Sequence, residues 1–282
     1  MLLALFRLIA RLPLAWVQAG GALLGLVVYA VSASYRGKLR ANLARAGYPP
    51  AMRLAAARSA GAMVGELAWV WFRPSDQVDR RVHCADMAPL MQAHALGRGV
   101  LILTPHLGCF EVAAPWVARR LPITVIYRQP RRAALDVLLH AARNRGDLAA
   151  APATLAGVRA LLRALRRGEV VGLLPDQVPG EGEGRWAPFL GAPAYTMTLP
   201  QRLVQASGAA VVLLSVARLP GGCGWALRLK PFEGEPTPQA INAAMEALIR
   251  ERPDQYLWGY NRYKRPPGAQ PAPGDHADGH EP

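Results

Sequence analysis

Three short apolar runs, each stopping at a polar break, constrain the fold of this chain most. Gly99-Val100-Leu101-Ile102-Leu103-Thr104 stops at Pro105-His106. Ile123-Thr124-Val125-Ile126-Tyr127 stops at Arg128, and Val170-Val171-Gly172-Leu173-Leu174 stops at Pro175-Asp176-Gln177. A strand that is apolar at every position, not every second one, has both faces covered, as in a parallel sheet under helices. Residues 36–72, the stretch after Pro105 to about Arg120, Ala133–Arg145, Leu155–Arg167, Leu199–Ala206 and Gln239–Arg250 carry helical spacing. Ala210–Val216 is a further strand, and Trp225–Leu229 alternates as expected at a sheet edge. The expected architecture is α/β, with a mainly parallel central sheet flanked by helices. Ligands of such sheets bind beyond the carboxyl ends of the strands. His106, Arg128, Asp176 and Gln177 should therefore share one rim.

Ahead of this domain lies an uncharged apolar segment, Leu12–Tyr35, of 24 residues. About 20 suffice to cross a bilayer, so residues 1–35 are expected to form an N-terminal membrane-anchor helix. Arg36, Lys38, Arg40 and Arg45 follow it, against Arg7 and Arg11 before it. The heavier basic flank is expected to place the main domain, residues 36–265, on the cytoplasmic side. Two other readings stay open: a cleaved signal peptide, and a helix that lies in the interface or on the domain. Gln18, Gly20, Gly21 and Gly25 favour the latter. Residues 266–282 are rich in Pro and Gly and free of aromatics, and are expected to be a disordered tail.

The chain has 33 basic against 19 acidic residues, a net charge of +14. Such a field attracts anionic partners. The apolar segment and the absence of a reading motif argue against nucleic acid. Three cysteines without a CxxC pair fit neither a disulfide framework nor a metal site.

The stretch His106-Leu107-Gly108-Cys109-Phe110-Glu111 holds the chemistry. With His106 in the turn and Glu111 in the first turn of the following helix, the two side chains can meet. A carboxylate on one imidazole nitrogen fixes the tautomer and leaves the other as a general base. Backbone N–H groups around Gly108 are expected to help hold an oxyanion. Cys109, in an apolar setting, is expected to pack inward rather than act as a nucleophile.

GVLILTPHLGCFE resembles the His-x4-Asp/Glu motif of the glycerolipid and lysophospholipid acyltransferase superfamily. ITVIYRQPRRAALDVLLHAAR, VRALLRALRRGEVVGLLPDQVPGEGEGRWAPFLGAPAYTMTLPQRL and YLWGYNRYKRP resemble the lipid A biosynthesis (lauroyl/myristoyl-type) acyltransferase family within it, over about residues 99–266. The resemblance implies acyl transfer from acyl carrier protein to a hydroxyl of a lipid A precursor. His106 would be the general base, Glu111 its orienter, and Arg128, Asp176 and Gln177 substrate contacts. No metal or bound cofactor is implied, since the carrier brings its own phosphopantetheine arm.

Plainer roles compete for each of these residues. Arg128 suits a surface ion pair, Asp176 a turn after Pro175, and Arg159, Arg163, Arg166 and Arg167 a solvated helix face instead of a site for lipid or acidic carrier. Arg131 and Arg132 are ambiguous in the same way. Trp258, Tyr260, Arg262, Tyr263 and Lys264 form either an interfacial strip or a mixture of core and surface. Another lipid acceptor, such as a lysophospholipid or an aminolipid, and a non-catalytic lipid-binding membrane protein are the alternative functions.

Overall fold

The computed structural model describes residues 2–127 and 148–273. Its centre is a seven-stranded sheet. In chain order the strands are β1 (Val82–Cys84), β2 (Val100–Leu103), β3 (Ile123–Tyr127), β4 (Leu148–Pro152), β5 (Val170–Leu173), β8 (Ala210–Arg218) and β9 (Trp225–Pro231). Their spatial order is β1-β9-β8-β2-β5-β3-β4, parallel throughout except for the β8–β9 pair. The expected α/β architecture thus holds. Trp225–Leu229 lies one strand in from the edge, because the three-residue β1 covers it. A separate hairpin, β6 (Gly184–Phe189) with β7 (Ala192–Met197), stands apart from the sheet.

The apolar runs split by alternate residues into two cores. Leu101, Leu103, Val171, Leu173, Val211 and Leu213 face one side. There they meet α3 (Ala33–Arg45), α8 (Leu155–Arg166), α9 (Leu199–Ser207) and α10 (Pro238–Glu251) through Leu39, Leu165, Leu203 and Met245. Val100, Ile102, Val170, Val212 and Leu214 face the other. That side is covered by α2 (Leu14–Val31), α4 (Met52–Phe72), α5 (Ser75–Asp79), α6 (Ala88–Ala95) and α7 (Ala113–Ala118), with Val17, Trp69, Val78, Leu90 and Trp116 inward. β2 and β5 are buried at every position, which is why their sequences never alternate.

The N-terminal segment does not stand clear of this domain. The short helix α1 (Leu2–Ile9) leads into α2, which runs antiparallel along α4. A side chain at Gly21, Gly25 or Gly61 would collide with the facing backbone at Gly61, Ala57 or Gly21. Glycine is therefore what lets the two helices approach. Arg36 caps the far end of α2, donating to the carbonyls of Tyr29 and Ala30.

The first residues after 265 lie against the domain. Ala269 is buried, Arg265 Nε donates to its carbonyl, and Trp186 Nε1 donates to the Gln270 carbonyl, so residues 266–270 cover the hairpin. Residues 274–282 and the helix expected at Ala133–Arg145 lie outside the described residues.

Candidate active site

β2 and β5 are parallel neighbours paired Leu103 to Leu173. Both continue in the same pattern, Leu103-Thr104-Pro105-His106 and Leu173-Leu174-Pro175-Asp176. Equal steps from paired residues bring His106 and Asp176 to the same point on the carboxyl rim. Asp176 Oδ1 lies 2.8 Å from His106 Nδ1, and Asp176 Oδ2 accepts the His106 backbone N–H at 2.9 Å. The carboxylate thus holds both the ring and the main chain of the histidine. On the far side of the ring, Gln177 Nε2 sits 3.0 Å from His106 Nε2. The Phe110 ring meets the imidazole edge-on, with centroids 4.6 Å apart.

Asp176 is 1 % exposed and His106 side chain 15 %. Burial pushes the Asp176 carboxyl up. The charge of His106, its two hydrogen bonds and the charge of Arg262 outweigh burial and hold the group below its ordinary value. An ionised Asp176 requires the proton of a neutral ring on Nδ1. The lone pair then stands on Nε2, where the Gln177 amide donates to it.

Glu111 is placed differently from expectation. It lies on a single 3₁₀ turn (Phe110–Val112) that precedes α7, and its Oε2 accepts from Trp71 Nε1 of α4 at 3.1 Å. The carboxylate in contact with the His106 ring is that of Asp176. A five-residue spacing made Glu111 the obvious partner, yet strand register brings a residue seventy positions away closer. The Gly108 N–H is not available to an oxyanion either, because it donates to the Gln255 carbonyl. Gly108 has φ +57°, and a Cβ there would strike the Val216 carbonyl, so only glycine allows the turn to lie this close to β8. Arg128, Arg131 and Arg132 lie outside the described residues.

Cys109 is fully buried, as expected. Burial, with Glu66 nearby, drives its thiol well above the ordinary value, which removes thiolate chemistry. The Trp258–Lys264 segment is no interfacial strip: Trp258 and Arg262 are each 2 % exposed. Arg262 donates to the Tyr195 carbonyl at 2.6 Å and Thr196 Oγ1 at 2.7 Å, which ties the segment to the hairpin. Its charge also reaches Asp176.

Behind the site is a buried cluster that sequence reasoning missed. Glu66 of α4 is 0 % exposed. Its Oε1 accepts from Gln18 Nε2 (2.7 Å), Arg218 Nε (2.8 Å) and Trp225 Nε1 (3.0 Å), and its Oε2 from Arg218 at 2.7 Å. Gln255 continues the cluster to the His106 turn. Its amide bonds both the N–H and the carbonyl of Arg218, and its own carbonyl takes the Gly108 N–H. The partners come from α2, α4, β8, β9 and the C-terminal segment, so local spacing gives no hint of them.

Comparison with known proteins identifies the family. The family model for bacterial lipid A biosynthesis acyltransferases matches residues 1–265. The chain is 27 % identical over 219 residues to a lipid A biosynthesis palmitoleoyltransferase of Escherichia coli, covering 74 % of this chain and 70 % of the relative. It is 28 % identical over 222 residues to the lauroyltransferase of the same organism, covering 76 % and 72 %. A lipid A biosynthesis acyltransferase of Haemophilus influenzae is 25 % identical over 206 residues, covering 69 % and 62 %.

Proposed function

The chain belongs to the bacterial lipid A biosynthesis acyltransferase family, and we propose that within its acyl-transfer reaction His106 is the general base and Asp176 its orienter. The observation that carries this reading is the two-point grip of Asp176 on His106. In the reaction, the hydroxyl of a lipid A precursor displaces the Gln177 amide from Nε2 and gives its proton to that nitrogen. The alkoxide oxygen bonds to the thioester carbonyl carbon, and the tetrahedral intermediate expels the thiolate as the C–S bond breaks. The imidazolium returns its proton to the sulfur. Asp176 stabilises the transient imidazolium without taking the proton.

Glu111 is anchored by Trp71 through one oxygen and is assigned a supporting role in holding the turn that carries His106. Gln177 first guards the lone pair and then contacts the acceptor. Arg128, which follows β3, is assigned to an acceptor phosphate, to which guanidinium is matched. The acyl donor is an acyl carrier protein thioester. The +14 charge and the exposed Arg159, Arg163 and Arg166 on α8 suit an acidic carrier. The enzyme works at the cytoplasmic face of the inner membrane, where donor and precursor meet.

The test gives membranes carrying the protein an acyl carrier protein thioester and a tetra-acylated lipid A precursor, with mass spectrometry of the product. One added acyl chain is expected from wild type and none from His106→Ala. Equal products from both would overturn the base assignment. Acylation of a lysophospholipid in place of the precursor would change the acceptor.

A further inference from the structure

We infer that α1 and α2 do not cross the bilayer but lie in the plane of one leaflet, held there by an apolar face and by arginine-lined clefts that grip anionic phospholipid headgroups. The inference rests on packing and charge and is independent of the acyl-transfer reading.

The first argument is attachment. α2 is 18 residues long, about 27 Å, which by itself would cross a hydrocarbon core. From its start to Gly25, however, it is fixed to α4. Leu12 accepts from Trp69 Nε1, Val17 lies over Gly65, Gly21 over Gly61 and Gly25 over Ala57. Gln18 is buried and bonded to Glu66, which is ion-paired to Arg218 of the sheet. A spanning α2 would take α4 with it. The exposed Arg58, next to Ala57, would then sit near mid-bilayer, with the whole catalytic domain beside it.

The second argument is the face that remains. Trp16, Leu23, Val27 and Val31 project from the side of α2 away from Gly21 and Gly25, Leu24 and Val28 flank them, and all six are 38–77 % exposed. Leu5 and Leu8 of α1 are 50 % and 59 % exposed. This one-sided face is suited to burial at the boundary of headgroups and acyl chains.

The third argument is charge. Arg7 and Arg11 flank the start of α2, and Lys38 and Arg40 follow its end. A helix in the plane keeps both ends at headgroup level, so both ends gain from basic residues. At the starting end the domain adds more. One cavity of about 460 Å³ is lined by Arg7, Arg11, Phe72 and Arg73. A second, of about 380 Å³, is lined by Trp69, Arg73, Arg80 and Arg81. Arg80 is paired with Asp76, whereas among the described residues Arg7, Arg11 and Arg81 have no carboxylate partner. Guanidinium groups that converge beside an apolar face match a phosphodiester at the lipid surface.

Two measurements on the full chain test this. In the first, the exposed Cys223 and the partly exposed Cys84 are replaced by serine, and single cysteines are placed at either end of α2 by Leu12→Cys and Ser34→Cys. A membrane-impermeant maleimide should label both from the same face of sealed vesicles. Labelling from opposite faces would overturn the in-plane reading. In the second, binding to vesicles of phosphatidylcholine alone is compared with binding to phosphatidylcholine mixed with phosphatidylglycerol. The Arg7→Gln/Arg11→Gln/Arg81→Gln variant should lose affinity for the anionic vesicles on the order of a hundredfold at low salt, with little change on the neutral ones. No loss, or an equal loss on both vesicles, would overturn the role of the clefts.

Discussion

Two buried carboxylates, Asp176 and Glu66, lie either side of the His106 turn. Each is paired with a cation-forming side chain, and they differ in what the pair can do. Glu66 accepts four hydrogen bonds from three partners, and its cation is an arginine that never releases its proton. Asp176 holds a histidine whose second nitrogen meets the Gln177 amide, which on the proposed reading a substrate hydroxyl displaces. The closed pair joins α2, α4 and the sheet into one body. The open pair, on the turn this body supports, can exchange a proton. Burial alone therefore does not mark a functional carboxylate; the partner and its remaining valence do.

This contrast is sharpened by substitutions that should separate activity from stability. His106→Ala should lower kcat/KM by roughly 10³-fold or more, since it removes the proposed base, while the residue 106 backbone N–H and the Arg262 charge still hold Asp176, so the melting temperature should fall less than in Glu66→Ala. Asp176→Asn keeps shape but loses the charge that fixes the tautomer, and kcat should fall about 10²–10⁴-fold. Glu66→Ala should do the reverse. Leaving Arg218 buried without its partner costs about 3–5 kcal/mol, visible as a lower urea midpoint, and the activity of the remaining folded protein should stay within a few-fold of wild type. If Glu66→Ala abolished kcat in folded protein, the division between the two pairs would fail.

The pH dependence of stability separates them further. Asp176 is held below its ordinary value in the folded state. It therefore contributes stability that is complete above the unfolded carboxyl pKa and is lost as pH falls through the lower folded pKa. Urea midpoints followed from pH 6 downward should show this acid limb in wild type and a shallower one in Asp176→Asn. Identical limbs would show that Asp176 carries no linked proton. The smallest effect should come from Trp71→Phe. It removes the Trp71 donor to Glu111, a bond of about 1 kcal/mol, so the rate should drop only a few-fold.

The layers of this molecule differ in how legible they were in the sequence. β2, β3 and β5 announce themselves because burial on both faces leaves no polar positions. The matching Leu-x-Pro endings of β2 and β5 were also visible, and with parallel register they place His106 beside Asp176. Without the register, spacing along the chain favoured Glu111. β1 has only three residues, and β4 is mostly alanine, too weak a signal for a strand. The Glu66–Arg218 pair joins residues 152 positions apart, and nothing local distinguishes Arg218 from other arginines. The apolar run of α2 was obvious, but its attachment to α4 depends on glycines that face glycines across two helices. Composition alone treats those residues as weaknesses in a spanning helix, whereas in the fold they form the contact.

The most direct test of the Asp176–His106 unit is a double-mutant cycle on the acyl-transfer rate. It uses wild type, His106→Ala, Asp176→Asn and the double variant, with the added acyl chain quantified by mass spectrometry. If Asp176 acts through His106, its substitution should cost nothing further once His106 is gone, and the double variant should match His106→Ala. Losses that multiply, or an Asp176→Asn enzyme as fast as wild type, would contradict the account.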